Sequence, residues 1–273
     1  MKLRIACVQM RPALCDRRKN LEAMAEFVKR TLDEHPDTGL ILFPELITSG
    51  YECEGEFQKL AEVAGEGESF EALSGLARGG KVHLIFGFPE RDRALGDILY
   101  NSSALLRPDG SLAGVYRKVH LFDTEKKYFR PGCEYPLFQT EFGSVGIMIC
   151  WDTAFPEVAR IYALKGADLL AVSTNWEKPY ADDWDLITRA RAFDNCLHLA
   201  AANRIGFDKT LGFFGHSKIV DPAGKPIAAL DEEREGIVSA EIDLTLHRRR
   251  RYEYYTFFKD RRPDTYGDLL KMY

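Results

Sequence analysis

Short apolar, β-prone runs alternate with helical segments along nearly the whole chain, and this alternation restricts it to an α/β architecture. Leu3 to Gln9, Leu40 to Phe43, Val82 to Phe88, Leu169 to Ser173 and Leu197 to Ala202 read as strands. Leu21 to Leu32 sets Leu21, Met24, Phe27, Val28 and Leu32 on one helical face. Phe70 to Ala77, Glu157 to Lys165 and Trp184 to Asn195 read as further helices. Two stretches break the alternation. Asn101 to Leu106 and Leu112 to Tyr116 flank the turn Pro108-Asp109-Gly110, and a second hairpin spans His216 to Ala229 across Asp221-Pro222-Ala223-Gly224. Hairpins inside an alternating pattern predict mixed sheets, not purely parallel ones.

The chain has 273 residues, 45% of them apolar and 29% charged, enough for one large core. No stretch has the composition of a linker and no repeat is evident, so a single domain over 1–273 is expected. The six cysteines, Cys7, Cys15, Cys53, Cys133, Cys150 and Cys196, contain no CxxC pair, which predicts free thiols in a reducing, cytoplasmic setting. The six histidines form no HxxxH pattern, so neither a metal nor another cofactor is expected. Met1-Lys2-Leu3-Arg4-Ile5 is too brief and too charged for a signal peptide core, and nothing approaches the roughly 18 apolar residues of a membrane span.

Three strand-like runs end in chemically capable side chains. Val145-Gly146-Ile147-Met148-Ile149 leads to Cys150-Trp151-Asp152 and then to a helical segment from Pro156. This is the layout of a nucleophile elbow, in which the terminal side chain is lifted from the sheet and the next N–H points at an oxyanion. Alone, a strand-end cysteine is more often a packing residue. Its company changes that reading. Gly39-Leu40-Ile41-Leu42-Phe43 leads through Pro44 to Glu45, a carboxylate able to act as base. Gly114-Val115-Tyr116-Arg117 delivers Lys118, an ammonium that favours a thiolate or stabilises a developing oxyanion.

Together these segments resemble the nitrilase superfamily of carbon–nitrogen hydrolases, whose triad is Glu, Lys and Cys in that chain order. The matching motifs are Phe43-Pro44-Glu45-Leu46, Tyr116-Arg117-Lys118-Val119-His120-Leu121 and Cys150-Trp151-Asp152 with Phe155-Pro156-Glu157. The resemblance runs from Arg4-Ile5-Ala6-Cys7-Val8-Gln9 through Ser173-Thr174-Asn175 and Ala201-Ala202-Asn203-Arg204 to Phe258-Lys259-Asp260-Arg261-Arg262-Pro263. It implies a four-layer α-β-β-α sandwich with Cys150 as nucleophile, Glu45 as general base and Lys118, helped by the Trp151 N–H, as oxyanion stabiliser. The family's second glutamate matches Glu125, where it would position the substrate and Lys118. A carboxylate among lysines in a loop also reads as a solvated charge. Tyr51, Trp151, Asn175 and Trp176 are the substrate-binding candidates.

The resemblance implies hydrolysis of a small amide to ammonia and a carboxylic acid through a thioester. N-carbamoyl amines and nitriles are the alternative substrates, and a non-catalytic scaffold is the alternative of another class. Asp152, where nitrile-hydrolysing relatives usually carry Glu, is similar to amidases and carbamoyl hydrolases. Glu177, Asp182 and Asp183 follow Trp176, in a loop that either meets a cationic substrate end or simply faces solvent. His247-Arg248-Arg249-Arg250-Arg251 does not make a nucleic-acid face on a chain of net charge −5, and reads as a solvated helix face or an interface element. The tail from about 245 to 273, with Tyr252, Tyr254, Tyr255, Phe257 and Phe258, is too apolar to stay solvated. Family resemblance places such a tail on a partner subunit, so a homodimer or higher homo-oligomer is expected, with no membrane or nucleic-acid partner.

Overall fold

The computed structural model describes residues 1–253 and 255–272; Tyr254 of the aromatic tail and Tyr273 lie outside the described residues. The first half of the chain runs β1 (Lys2–Gln9), α1 (Arg17–Glu34), β2 (Thr38–Leu42), α2 (Phe57–Leu60), α3 (Glu68–Gly80), β3 (His83–Arg91), β4 (Leu99–Leu106) and β5 (Leu112–Arg117). The second half runs β6 (Leu137–Thr140), β7 (Gly143–Ile149), α4 (Pro156–Lys165), β8 (Leu169–Thr174), α5 (Ala181–Asn195) and β9 (His198–Asn203). A small hairpin of β10 (Ile205–Phe207) and β11 (Gly212–Phe214) follows, then β12 (Ser217–Val220), β13 (Pro226–Leu230), β14 (Gly236–Asp243) and α6 (Leu246–Glu253).

Two six-stranded sheets result, in the orders β14-β1-β2-β3-β4-β5 and β13-β12-β9-β8-β7-β6. Each has a parallel trio at its centre, β1-β2-β3 or β7-β8-β9, because helices carry the crossovers there. Each is flanked by antiparallel strands where the connection is a hairpin or a long return. The mixed sheets expected from the two hairpins are thus present.

Strand alternation assembles the layers. In β1 and β2 the side chains of Ile5, Cys7, Leu40 and Leu42 share a cluster with Val145, Ile147 and Leu170 of the second sheet. Their neighbours Ala6, Val8 and Ile41 turn the other way, onto Met24, Phe27 and Val28 of α1 and Phe70 and Leu73 of α3. On the far face of the second sheet lie Val158 and Tyr162 of α4 and Trp184 and Ala192 of α5. The order is helices, sheet, sheet, helices, the four-layer α-β-β-α sandwich. The apolar stripe of α1 is the one its periodicity predicts, with Leu21, Met24, Phe27 and Val28 buried.

The one-turn α2 and the strands β6, β10, β11 and β14 were not anticipated. β14 pairs with β1 along its whole length, from Lys2–Asp243 to Gln9–Gly236. Its half-exposed Gly-Ile-Val-Ser-Ala-Glu-Ile-Asp sequence carries little strand signal. β6 and the β10–β11 hairpin are too short to show a period. The basic run is α6, and part of it is spent inside the chain: Asp168 Oδ1 lies 3.2 Å from His247 Nε2 and 3.4 Å from Arg248. Arg251 donates to the Asn195 carbonyl at 3.1 Å. Beyond it the tail returns to its own chain, with Phe257 5.6 Å from the ring of Phe193 and Phe258 under the Arg160 guanidinium. Leu270 and Met272 are 89% and 99% exposed. Among the described residues no helix is long and apolar enough to cross a membrane.

Candidate active site

The carboxyl ends of β2, β5, β7 and β8 converge between the two sheets, and each delivers one polar group. Glu45 follows β2 by way of Phe43 and Pro44, and its backbone crosses directly over Gly87 of β3. A Cβ at Gly87 would stand 2.6 Å from the Glu45 Cα and 2.4 Å from the Leu46 nitrogen, so only glycine admits this crossing. Lys118 immediately follows β5, and its N–H is held by the Asn101 carbonyl at 2.8 Å. Asn175 extends β8.

Glu45 and Lys118 have no exposed surface, and Glu125 is 3% exposed. Lys118 Nζ donates to Glu45 Oε1 at 2.7 Å and to Glu125 Oε1 at 2.6 Å. Glu45 Oε1 also accepts from Asn101 Nδ2 at 2.7 Å, and Oε2 from the Asn175 N–H at 2.8 Å. Glu125 Oε1 accepts from the Tyr51 hydroxyl at 2.7 Å, and Oε2 from the Phe122 N–H at 3.2 Å. Glu125 is therefore a buried partner of the lysine, which removes the solvated-loop reading. One ammonium faces two carboxylates in a dry site. Burial, reinforced by the Glu45 charge and opposed by Lys118, lifts Glu125 to about 7. Burial alone would lower the Lys118 pKa, but Glu125 and Glu45 outweigh it and hold the ammonium charged.

Cys150 immediately follows β7 with φ +43°, a left-handed conformation that a side chain adopts at a cost of about 1–2 kcal/mol. The turn is pinned by Asp152, which is fully buried. Its Oδ2 accepts from the Ile149 N–H at 3.1 Å and the Tyr116 hydroxyl at 2.8 Å. Its Oδ1 accepts from the His120 N–H at 3.0 Å and lies 2.9 Å from His120 Nδ1. Asp152 thus ties the cysteine turn to the segment after Lys118 and does not line the cavity. Burial, then the Glu45 charge, pushes the Cys150 thiol above its ordinary pKa, with Lys118 pulling the other way.

The cavity over Cys150 measures about 280 Å³ and is bordered by Tyr51, Phe122, Trp151, Asn175, Trp176, Glu177, Tyr180 and Asp183. All four substrate-binding candidates border it. Trp151 lies 5.0 Å from the ring of Phe122 and 5.9 Å from that of Trp176, giving apolar walls. Among the described residues neither Nδ2 nor Oδ1 of Asn175 has a hydrogen-bond partner, although both are buried. Of the acidic loop, Glu177 and Asp183 reach the cavity and Asp182 does not. A larger cleft of about 810 Å³, between Glu54–Gln58 and Lys126–Pro131, contains none of these groups. Among the described residues no cluster of three or more His, Cys, Asp or Glu is disposed to hold a metal ion.

This arrangement matches a known family over almost the entire chain: the model for carbon–nitrogen hydrolases covers residues 4–252. The chain belongs to the carbon–nitrogen hydrolase family. A relative from Schizosaccharomyces pombe named "Probable nitrilase C965.09" is 58% identical over 270 residues, 99% of either chain. The crystal structure of a carbon–nitrogen hydrolase from Helicobacter pylori superimposes with a TM-score of 0.93 at 34% identity, covering 99% of each chain. A mutant of the amidase from Nesterenkonia sp., with the acetamide moiety of fluoroacetamide added covalently at its active-site cysteine, superimposes with a TM-score of 0.86 at 25% identity. That match covers 98% of this chain and 97% of the amidase.

Within this carbon–nitrogen hydrolase, sequence reasoning missed Asn101 and the His120–Asp152–Tyr116 link. Asn101 heads the polar trio Asn101-Ser102-Ser103, wholly buried in a strand that is otherwise apolar. Polar residues on consecutive core positions of a strand were the available signal.

Proposed function

We propose that the protein hydrolyses a small amide or ureido compound, releasing ammonia through a thioester on Cys150. The observation that carries this reading is the fully buried Glu45, held by Lys118 at one oxygen and by the Asn175 N–H at the other, beside a thiol that burial and the Glu45 charge push above its ordinary pKa. The substrate carbonyl oxygen meets Lys118 Nζ and the Trp151 N–H. Glu45 takes the thiol proton as sulfur attacks, and the negative charge gathers on the carbonyl oxygen. Glu45 then gives that proton to the nitrogen, the C–N bond breaks, and ammonia leaves. Water enters, yields its proton to Glu45 and cleaves the thioester, releasing the acid and restoring the thiol. Glu125 and Tyr51 keep the lysine in place.

Asn175 favours amides over nitriles. Its unpaired Nδ2 and Oδ1 match the carbonyl and NH₂ of an amide, whereas a nitrile offers only an acceptor and leaves Oδ1 unsatisfied. The test is ammonia release across matched amides, N-carbamoyl amines and nitriles. Amide or ureido substrates are expected to exceed the nitriles by at least about tenfold in kcat/KM, about 1.4 kcal/mol. Equal or faster turnover of nitriles refutes the amide reading.

The whole chain acts as one domain in this proposal. Its exposed end, from Pro263 to Met272, packs on a second copy to form a homodimer, which buries Leu269, Leu270 and Met272. Six unpaired cysteines fit a reducing compartment such as the cytoplasm.

A further inference from the structure

Arg204 ends the run Ala201-Ala202-Asn203-Arg204 just past β9, is fully buried, and takes no part in any step of the hydrolysis. Its guanidinium meets Asp208 through two bonds, Nη1 to Oδ2 at 2.9 Å and Nη2 to Oδ1 at 2.7 Å. The two side chains are 0% and 1% exposed. A buried ion pair of this kind adds little net stability, since desolvating both charges offsets most of their attraction. The other contacts of the pair point to a different role.

Asp208 Oδ2 also accepts from the Tyr51 N–H at 2.9 Å and the Glu52 N–H at 3.2 Å. In return Glu52 Oε2 accepts from the N–H groups of Lys209, Thr210 and Leu211 at 2.7, 2.7 and 3.0 Å. Each carboxylate thus binds the other's backbone, and the turn between β10 and β11 is clasped to the segment that carries Tyr51. The Arg204 guanidinium also lies 4.2 Å from the centre of the Phe213 ring, and that ring meets Tyr51 edge to face at 6.1 Å. Both the backbone and the ring of Tyr51 are therefore located by groups that Arg204 holds. From there the Tyr51 hydroxyl reaches Glu125 Oε1 at 2.7 Å, the same atom that accepts from Lys118.

We propose that Arg204 and Asp208 are positioning residues of the active site: they fix Tyr51 so that its hydroxyl meets Glu125, and through Glu125 they keep the Lys118 ammonium aimed at the substrate carbonyl. Neither borders the cavity over Cys150, so neither touches substrate. This proposal rests on the amidase reading above.

Positioning leaves a signature that lost packing does not. The charged and titratable groups facing Glu125 are Lys118, Glu45, Tyr51 and Cys150, whereas the Arg204–Asp208 pair faces Cys53 and Arg11. Removing the Asp208 charge would by itself ease the ionisation of Glu125 and move the acid limb of the kcat/KM profile down. Displacing Tyr51 acts the other way. The Glu125 carboxylate then loses a donor, and the limb moves up.

The experiment measures kcat/KM for a good amide from pH 5.5 to 9.5 in Asp208→Asn and in the paired variant Arg204→Met, Asp208→Leu. The pair leaves no lone charge in the interior and keeps the net charge. Each is made in the wild-type and the Tyr51→Phe backgrounds. In the wild-type background the acid limb should move up by about half a unit to one unit. In the Tyr51→Phe background, where the hydroxyl is already gone, the further movement should stay below about 0.2 unit. The position of the limb does not depend on how much of the enzyme is folded, so a partly unfolded variant still reports it. A limb that stays in place or moves down in either variant, or that moves as far in the Tyr51→Phe background as in the wild type, overturns the positioning role and leaves the amidase reading standing. No ammonia from any amide or ureido compound with the wild type overturns both.

Discussion

Tyr51→Phe removes one hydroxyl and leaves the packing of the ring against Phe213 in place. The lost hydrogen bond, 2.7 Å to Glu125 Oε1, stabilises the ionised carboxylate more than the neutral acid. Oε1 keeps Lys118 and Oε2 keeps the Phe122 N–H, so the carboxylate is not orphaned. A hydrogen bond to a charged group contributes about 1.5–3 kcal/mol and one to a neutral group about 0.5–1.5, a mid-range difference of about 1.3 kcal/mol, which is about one pKa unit. Glu125 titrates at about 7. In the variant it should titrate about one unit higher, because its charged form loses more support than its neutral form. If the ionised Glu125 is what holds Lys118, the acid limb of the kcat/KM profile moves up by about one unit. Activity at pH 6 then falls about tenfold relative to wild type, while activity near pH 9 changes little. The assay is kcat/KM for a good amide from pH 5.5 to 9.5. An acid limb that stays in place or moves down refutes the role given to Tyr51 and Glu125.

Asp152→Asn should destabilise the fold by about 2–4 kcal/mol in urea unfolding, because one carboxylate now satisfies four donors and an amide cannot; a loss below about 0.5 kcal/mol contradicts the pinning of the Cys150 turn. Glu125→Gln should flatten the pH dependence of stability. The folded state holds the Glu125 proton up to about 7 against an ordinary 4.5, so it binds more protons than the unfolded chain in that window and wild-type stability declines as pH rises through it. An unchanged slope in the variant removes Glu125 as its source. Activity should survive exhaustive chelation and be lost to iodoacetamide, itself a small amide, with the label on Cys150. Activity restored by added zinc after chelation contradicts the thiol mechanism.

The layers were legible because their signals are local. Leu21, Met24, Phe27 and Val28 announce α1 by spacing, and the turns at Asp109-Gly110 and Asp221-Pro222-Ala223-Gly224 announce the hairpins β4–β5 and β12–β13. β14 was not legible, since its pairing with β1 joins residues more than two hundred positions apart and its own pattern is half polar. The same division holds at the site. Glu45, Lys118 and Cys150 each close an apolar run, and their order resembles a known family. Asp152 and His120 act through bonds formed only when separate strand ends meet, so their spacing does not announce the link, and Asn101 is marked only by heading a polar run in a core strand. The acidic loop was legible as charge, but only the folded chain separates Glu177 and Asp183, which border the cavity, from Asp182, which does not.

A covalent acyl intermediate on Cys150 is detected by intact and peptide-mapped mass spectrometry of acid-quenched enzyme. With a slowly hydrolysed amide the wild type is expected to carry one acyl group, mapped to the peptide containing Cys150. Cys150→Ala, folded by circular dichroism, should carry none and release no ammonia. An adduct on Cys53 or Cys133, or full turnover by Cys150→Ala, contradicts the account.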